Sequence, residues 1–218
     1  MPDRAVIWDV DGVLVDSGPV HFAAWRQLAR ELGRDLGEEE FRHTFGMRDE
    51  DVVRHLFGDL PPEEAQALAE RKEQLFRAAA PSRLRAQPGV RALLAELRRA
   101  GFAQAVASSA PPANVALTLD VLGIRGAFQA VVTGADVRKG KPDPEVFLLA
   151  AKRLGVPPAR CVVVEDAVVG VEAARAAGMH CVAVVGTSSR EELWRADLVV
   201  DSLEELRAAD FQRLIGQS

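Results

Sequence analysis

Cysteine is scarce in this chain of 218 residues, which has only Cys161 and Cys181. Each begins a short apolar run and no Cys-x-x-Cys pair exists, so both read as buried small hydrophobes in a reducing compartment rather than a disulfide or metal pair. Long apolar runs are missing too. No stretch of about 18 apolar residues occurs, so no transmembrane helix is expected. Asp9 and Asp11 cut short the N-terminal apolar stretch, which removes the pattern of a signal peptide. A cytoplasmic protein with no membrane partner is the expectation. Basic excess is absent: 27 Lys and Arg face 32 Asp and Glu, a net charge of −5. That balance leaves no broad electrostatic footprint for nucleic acid. Repeats and low-complexity tracts are also lacking. What remains is ordinary for a globular protein, with 48% hydrophobic and 27% charged residues. The length allows one large domain or two small ones, with a core that needs no disulfide staples.

The rhythm of the chain changes along its length. Residues 6–8 form a short β-prone run. From Pro19 to about Ala80 the pattern is helical. Phe22, Trp25, Leu28 and Leu32 fall at helical spacing, short helices fit residues 38–45 and 49–57, and Pro61-Pro62-Glu63-Glu64 starts a helix running to about Ala79. After Pro88, helix and strand alternate. Strands fit residues 102–107, 130–133, 161–164, 181–185 and 198–200, and helices fit 90–100, 113–122, 144–154, 168–177 and the end from about Leu203. This alternation predicts βαβ units: an α/β, Rossmann-like parallel sheet with helices on both faces. About 70 helical residues separate the first strand from the rest. The economical reading is an inserted α-helical cap domain, residues 17–84, in a core made of residues 1–16 and 85–218. The linkers would be residues 15–19 and the proline-containing 81–88.

In an open parallel sheet, ligands bind at the carboxyl ends of the strands. The first strand ends in Asp9 and Asp11. The strand to Ala107 leads into Ser108 and Ser109. The strand to Thr133 leads into Gly134, Asp136 and Arg138-Lys139-Gly140-Lys141-Pro142. The strand to Val164 leads into Glu165 and Asp166. Four carboxylates converging on one rim repel each other. A hard divalent cation resolves the conflict, and Mg²⁺ takes oxygen ligands from one or two carboxylates while keeping sites for water and phosphate. A lysine and hydroxyl groups beside it would hold a dianion. The combination suits phosphoryl transfer. Asp9 and Asp11, two apart, would share a face of a continuing strand, and Gly12 permits a turn beyond them. One carboxylate could serve as nucleophile and the other as acid and base. Taken singly, each residue has a bland reading as a cap, a loop residue or a solvated charge; their joint occurrence at four strand ends carries the inference. Asp16 reads as a cap or brace on the path into the insertion.

Asp9-Val10-Asp11-Gly12-Val13, Ser108, Lys141-Pro142 and Glu165-Asp166 together resemble the four-part signature of the haloacid dehalogenase-like superfamily. The likeness covers essentially the whole chain, and the helical insertion resembles that family's small cap. The resemblance implies roles. Asp9 would be the transiently phosphorylated nucleophile and a Mg²⁺ ligand. Asp11 would be the general acid/base, with its backbone carbonyl on the metal. Ser108, Ser109 and Lys141 would bind the phosphoryl group, and Asp166, with Glu165 near or on the ion, would complete the metal site. Dehalogenases usually lack the second aspartate, so Asp11 implies a phosphate reaction.

Residues 19–25 are similar to the start of β-phosphoglucomutase and its sugar-phosphatase relatives. Lys72 in Glu70-Arg71-Lys72 fits the same likeness, and Phe45-Gly46-Met47-Arg48 resembles the stretch that gives mutases a phosphate-binding arginine, so the resemblance implies substrate contacts from His21, Arg48 and Lys72. Lys72 shares a helical stripe with Leu68, Leu75 and Phe76, so it either points into a cleft between cap and core or snorkels at the stripe's edge. His21 is either a substrate contact or structural. Arg48 stands one place away from the phosphate-binding arginine of mutases, and Asp49 occupies that place. Ala110-Pro111-Pro112 replaces the Lys-Asn pair that mutases carry after the serine motif. The expectation is a Mg²⁺-dependent phosphatase of small phosphate monoesters, most naturally sugar phosphates, working through an aspartyl-phosphate. A monomer with a small-molecule substrate is expected. The alternatives are β-phosphoglucomutase and a non-enzymatic phospho-acceptor module.

Overall fold

The computed structural model describes residues 2–44 and 49–216, apart from the side chains of Arg42 and Glu50. In chain order the elements are β1 (Ala5–Trp8), α1 (Gly18–Glu31), α2 (Glu38–Arg42), α3 (Asp49–Phe57), α4 (Pro62–Arg83), α5 (Val90–Arg99), β2 (Ala103–Ala107), α6 (Pro112–Val121), β3 (Ala130–Val132), α7 (Glu145–Leu154), β4 (Cys161–Glu165), α8 (Val168–Ala176), β5 (His180–Val184), β6 (Leu198–Val200) and α9 (Ala208–Ile215). The chain divides into two compact units. One is Met1–Asp16 with Arg85–Ser218, and the other is Ser17–Leu84.

The first unit is the α/β fold that the alternating rhythm predicts. Six strands, all parallel, lie in the order β3-β2-β1-β4-β5-β6. Strand order reverses between β1 and β4, and the crevice outside the carboxyl ends at such a switch point is where this architecture binds ligands. Every β1 residue is buried, as are those of β2 and β4, which is why these strands read as near-continuous apolar runs rather than alternations. Alternate residues feed two layers. Ile7, Ala105 and Val163 join Phe147, Ala150 and Leu154 of α7 and Val171 and Ala174 of α8 in one core cluster. On the opposite face, Gln104 accepts the Trp8 indole N–H at 3.2 Å and donates to the Leu94 carbonyl of α5 at 3.0 Å, so a buried polar pair is satisfied inside an apolar layer.

The second unit holds α1 to α4. Val20, Ala24, Trp25 and Leu28 line the buried face of α1, which packs along α4. His21 stacks on Phe76 with ring centroids 4.2 Å apart, and Arg71 pairs with Glu31 at 2.8 Å.

Several expected boundaries move. Residues 81–88 were expected to form a linker starting at Pro81, but α4 runs through Pro81 to Arg83. Pro81 sits in the last turn, where it removes one bond to the Arg77 carbonyl, and the helix then closes through Leu84 N–H to Ala80 O at 2.9 Å. The terminal helix begins later than Leu203: one 3₁₀ turn at Leu203–Glu205 precedes α9, because Ser202 and Glu205 form a capping box around it. α2 is helical through Arg42, and the expected remainder at Phe45 lies outside the described residues. Asp16 is exposed, and Ser17 takes the N-cap position of α1, so Asp16 caps nothing. Its backbone N–H donates to Arg85 O at 3.1 Å, beside a Val15–Ala86 bridge, and so ties the two linkers together.

Candidate active site

β1 delivers Asp9 to the switch point. Its N–H still donates to Val164 O at 3.0 Å, one residue past the strand, so the ladder fixes its position level with Glu165 of β4. The chain then turns away instead of continuing. Leu14 and Val15 both donate to Val10 O, at 2.9 and 3.1 Å, and Gly12 donates to Val15 O at 2.9 Å. The regular strand therefore ends at Trp8, and Asp11 follows in the turn segment, close enough to raise the Asp9 and Asp166 carboxyls. Asp11 sits half-buried in the turn. Gly12 has φ +82°, and a Cβ there would overlap Asp166 Oδ2. Both its backbone conformation and the close approach of Asp166 require glycine.

Lys141 reaches the same point from the loop after β3. Its Nζ lies 2.5 Å from Asp9 Oδ1 and 2.5 Å from Glu165 Oε1. The Lys141–Pro142 peptide is cis. Glu165 has both oxygens in use, because Oε2 accepts the Asp166 and Ala167 N–H groups at 2.9 and 3.1 Å. Its carboxylate lies against α8, where a Cβ on Gly170 would overlap it. Asp166 accepts the Thr187 hydroxyl at Oδ2. Ser108 is buried at the end of β2 and its Oγ accepts Ala110 N–H at 3.0 Å, while Ser109 beside it is exposed. Asp9, Ser108, Lys141, Glu165 and Asp166 thus stand at one rim of the sheet, as their strand-end positions predict.

The charges are unbalanced. Burial holds the Asp9 carboxyl well above the usual carboxylate range, Lys141 opposes that, and Glu165, Asp166 and Asp11 reinforce it. Burial pushes Asp166 up to about 7, with Glu165 adding to the rise and Thr187 and Lys141 countering it. Burial alone would lower the Lys141 ammonium, but Asp9 and Glu165 outweigh it and hold it above its ordinary value. One ammonium among four carboxylates leaves room for a further cation. Asp9 Oδ2 and Asp166 Oδ1 receive no hydrogen bond from any described residue. No three His, Cys, Asp or Glu side chains among the described residues form a ready metal cage. An all-oxygen set with two unpartnered carboxylate oxygens nevertheless fits Mg²⁺, which needs only one or two carboxylates and keeps its waters.

In the helical unit, Lys72 does not snorkel. It is 2% exposed, donates to Asp49 Oδ1 at 3.0 Å and Glu73 Oε1 at 2.6 Å, and lies 5.2 Å from the Trp25 ring centroid. Burial raises Asp49 to about 6, Lys72 opposing and Glu73 assisting. His21 is half-buried on Phe76. Arg48 lies outside the described residues.

Two contributors are not apparent from the sequence pattern. Thr187 lies shortly beyond the carboxyl end of β5, so extending the strand-end rule to β5 finds it. Gly170 carries no local signal, since its role is to leave space for a side chain five residues upstream.

Comparison with known proteins shows the family of the chain. A family model described as haloacid dehalogenase-like hydrolase matches residues 4–178. A phosphorylated carbohydrates phosphatase of Thermotoga maritima is 34% identical over 182 residues, which is 81% of this chain and 82% of that protein. The β-phosphoglucomutase of Bacillus subtilis is 33% identical over 213 residues, 93% of this chain and 91% of that one. Among solved structures, CbbY from Rhodobacter sphaeroides in complex with phosphate has a TM-score of 0.84 at 31% identity, covering 94% of this chain and 96% of that one. With the family match running from β1 through α8 and relatives of this identity spanning nearly the whole chain, the protein belongs to the haloacid dehalogenase-like hydrolase family.

Proposed function

We propose that the chain is a Mg²⁺-dependent phosphatase that hydrolyses small phosphate monoesters, sugar phosphates in particular, through an aspartyl-phosphate. The observation that carries this reading is Asp9 at the switch point, with one carboxylate oxygen on Lys141 at 2.5 Å and the other without a donor among the described residues. The Asp9 carboxylate is the nucleophile. It forms a bond to phosphorus as the bond from phosphorus to the ester oxygen breaks, and Asp11 gives its proton to that leaving oxygen. Water then attacks the phosphorus and Asp11 takes the water's proton. The bond from phosphorus to Asp9 breaks, and phosphate and the free carboxylate result. Lys141 and the Ser108 hydroxyl hold phosphoryl oxygens. Glu165, with both its own oxygens occupied, positions Lys141. Mg²⁺ held by Asp9, Asp166 and the Asp11 backbone carbonyl would neutralise charge on the phosphate.

The helical unit favours phosphatase over mutase. A mutase must hold a second phosphate in its bisphosphate intermediate. Here Asp49 stands near the place of the expected arginine, and Lys72 is already matched by Asp49 and Glu73. Two carboxylates against one ammonium leave Lys72 with no spare positive charge for a second phosphate. The names of the T. maritima phosphatase and B. subtilis mutase frame the same choice for this chain. The deciding experiment offers a panel of phosphate esters with Mg²⁺ and reads free phosphate and sugar-phosphate isomers together. Free phosphate is expected. Conversion of β-glucose 1-phosphate to glucose 6-phosphate under bisphosphate priming, without phosphate release, overturns the hydrolase reading.

A further inference from the structure

The loop residue after β5 that touches the site has no part in the chemistry above. Thr187 donates its hydroxyl to Asp166 Oδ2, and Ser188 N–H, next in the chain, donates to Asp166 O at 3.1 Å. The side chain and the backbone of Asp166 are thereby held by consecutive residues of one loop. Behind the same Oδ2 lies Gly12, whose missing Cβ leaves the space the carboxylate fills; a Cβ there would also come within 3.2 Å of Thr187 Oγ1. Asp166 is 3% exposed, whereas Thr187 is exposed. Among the described residues Thr187 is the one donor to this carboxylate, and Oδ1 has none. A carboxylate gripped through one oxygen in a fixed pocket has its other oxygen fixed in direction.

We infer that Thr187 is a positioning residue that orients Asp166 for the divalent cation: its hydroxyl and the Gly12 pocket lock one carboxylate oxygen so that the other is presented as a ligand. The inference rests on the metal role proposed for Asp166. Partners that orient a ligand in this way typically set metal affinity by about 10- to 100-fold when removed. The substitution pair is Thr187→Val, which keeps the shape and loses the hydroxyl, and Thr187→Ser, which keeps the hydroxyl. An exposed position of this kind tolerates both without loss of the fold.

The experiment titrates Mg²⁺ into each full-length protein and reads two quantities: the melting temperature as a function of Mg²⁺, and the Mg²⁺ concentration giving half-maximal phosphate release. T187V is expected to shift both midpoints upward by about tenfold or more. T187S is expected to stay within about threefold of the wild type, since the donor is retained. A wild type whose melting ignores Mg²⁺ overturns the metal reading and this inference together. A wild type that responds, with T187V responding at the same Mg²⁺ concentrations, overturns this inference alone. A shift in the turnover midpoint without one in the melting midpoint also overturns it, because orientation of a ligand must appear in binding.

Discussion

Lys141 Nζ stands 2.5 Å from Asp9 Oδ1, with the two side chains 7% and 10% exposed. The ammonium also carries Glu165 at 2.5 Å, so one positive charge serves two buried carboxylates. Removing one member of a buried pair strands the other's charge, which typically costs about 3–5 kcal/mol. Lys141→Met is therefore expected to lower unfolding free energy in urea by an amount of that order. It should also reduce phosphate release by at least about 10³-fold, since a preorganised positive charge on the phosphoryl group is lost. A variant with wild-type urea stability would show that the pair does not hold the two carboxylates.

Asp9→Asn separates chemistry from structure. The amide keeps the shape of the side chain but is no nucleophile, and Lys141 retains Glu165 as partner. Phosphate release is expected to fall by more than about 10³-fold. Burial disfavours the Asp9 charge in the folded chain, so the neutral variant should melt no lower than the wild type near pH 7. Substantial turnover by a correctly folded Asp9→Asn protein would remove Asp9 from the nucleophile role.

Gly170→Ala tests the least visible support of the site. The added methyl group would occupy the space of the Glu165 carboxylate, which then has to leave Lys141 or the two amides at Asp166 and Ala167. Alanine suits a helix better than glycine by about 1 kcal/mol, so local propensity alone predicts a gain in stability. The expected outcome is the reverse in function: kcat falls by at least about tenfold while α8 stays helical by circular dichroism. Unchanged kcat would mean that the Glu165 position does not matter to turnover.

The sheet was legible because β1, β2 and β4 are buried on both faces, so each must be an apolar run bounded by polar ends. Those polar ends are Asp9, Ser108 and Glu165-Asp166, and reading them off together located the rim. Interactions that depend on the third dimension were not legible. Pro81 looked like a helix end, but a proline in the last turn forfeits only one backbone bond. Lys72 on an apolar stripe had two readings from periodicity alone. Its partner Asp49 is 23 residues away in sequence, and no spacing rule joins them.

The trio of buried Lys72 and Glu73 with half-buried Asp49 makes the stability of the helical unit depend on pH in a direction that can be worked out. Burial raises Asp49 from 3.8 to about 6, Lys72 opposing and Glu73 assisting. Between about pH 4 and 6 the folded chain keeps a proton on Asp49 that the unfolded chain has lost. Stability from this group is therefore fully present below about pH 4 and is lost as pH rises through about 6. An asparagine is neutral at every pH and has no such loss. The wild type is expected to lose, between about pH 5 and 7.5, on the order of 1 kcal/mol more than Asp49→Asn does. Other raised carboxylates, Asp9 and Asp166, contribute equally to both proteins, so the difference between the two pH profiles isolates Asp49. Urea unfolding at about pH 5, 6 and 7.5 measures it. Parallel profiles would show that Asp49 is ionised throughout, with Lys72 rather than burial governing its charge.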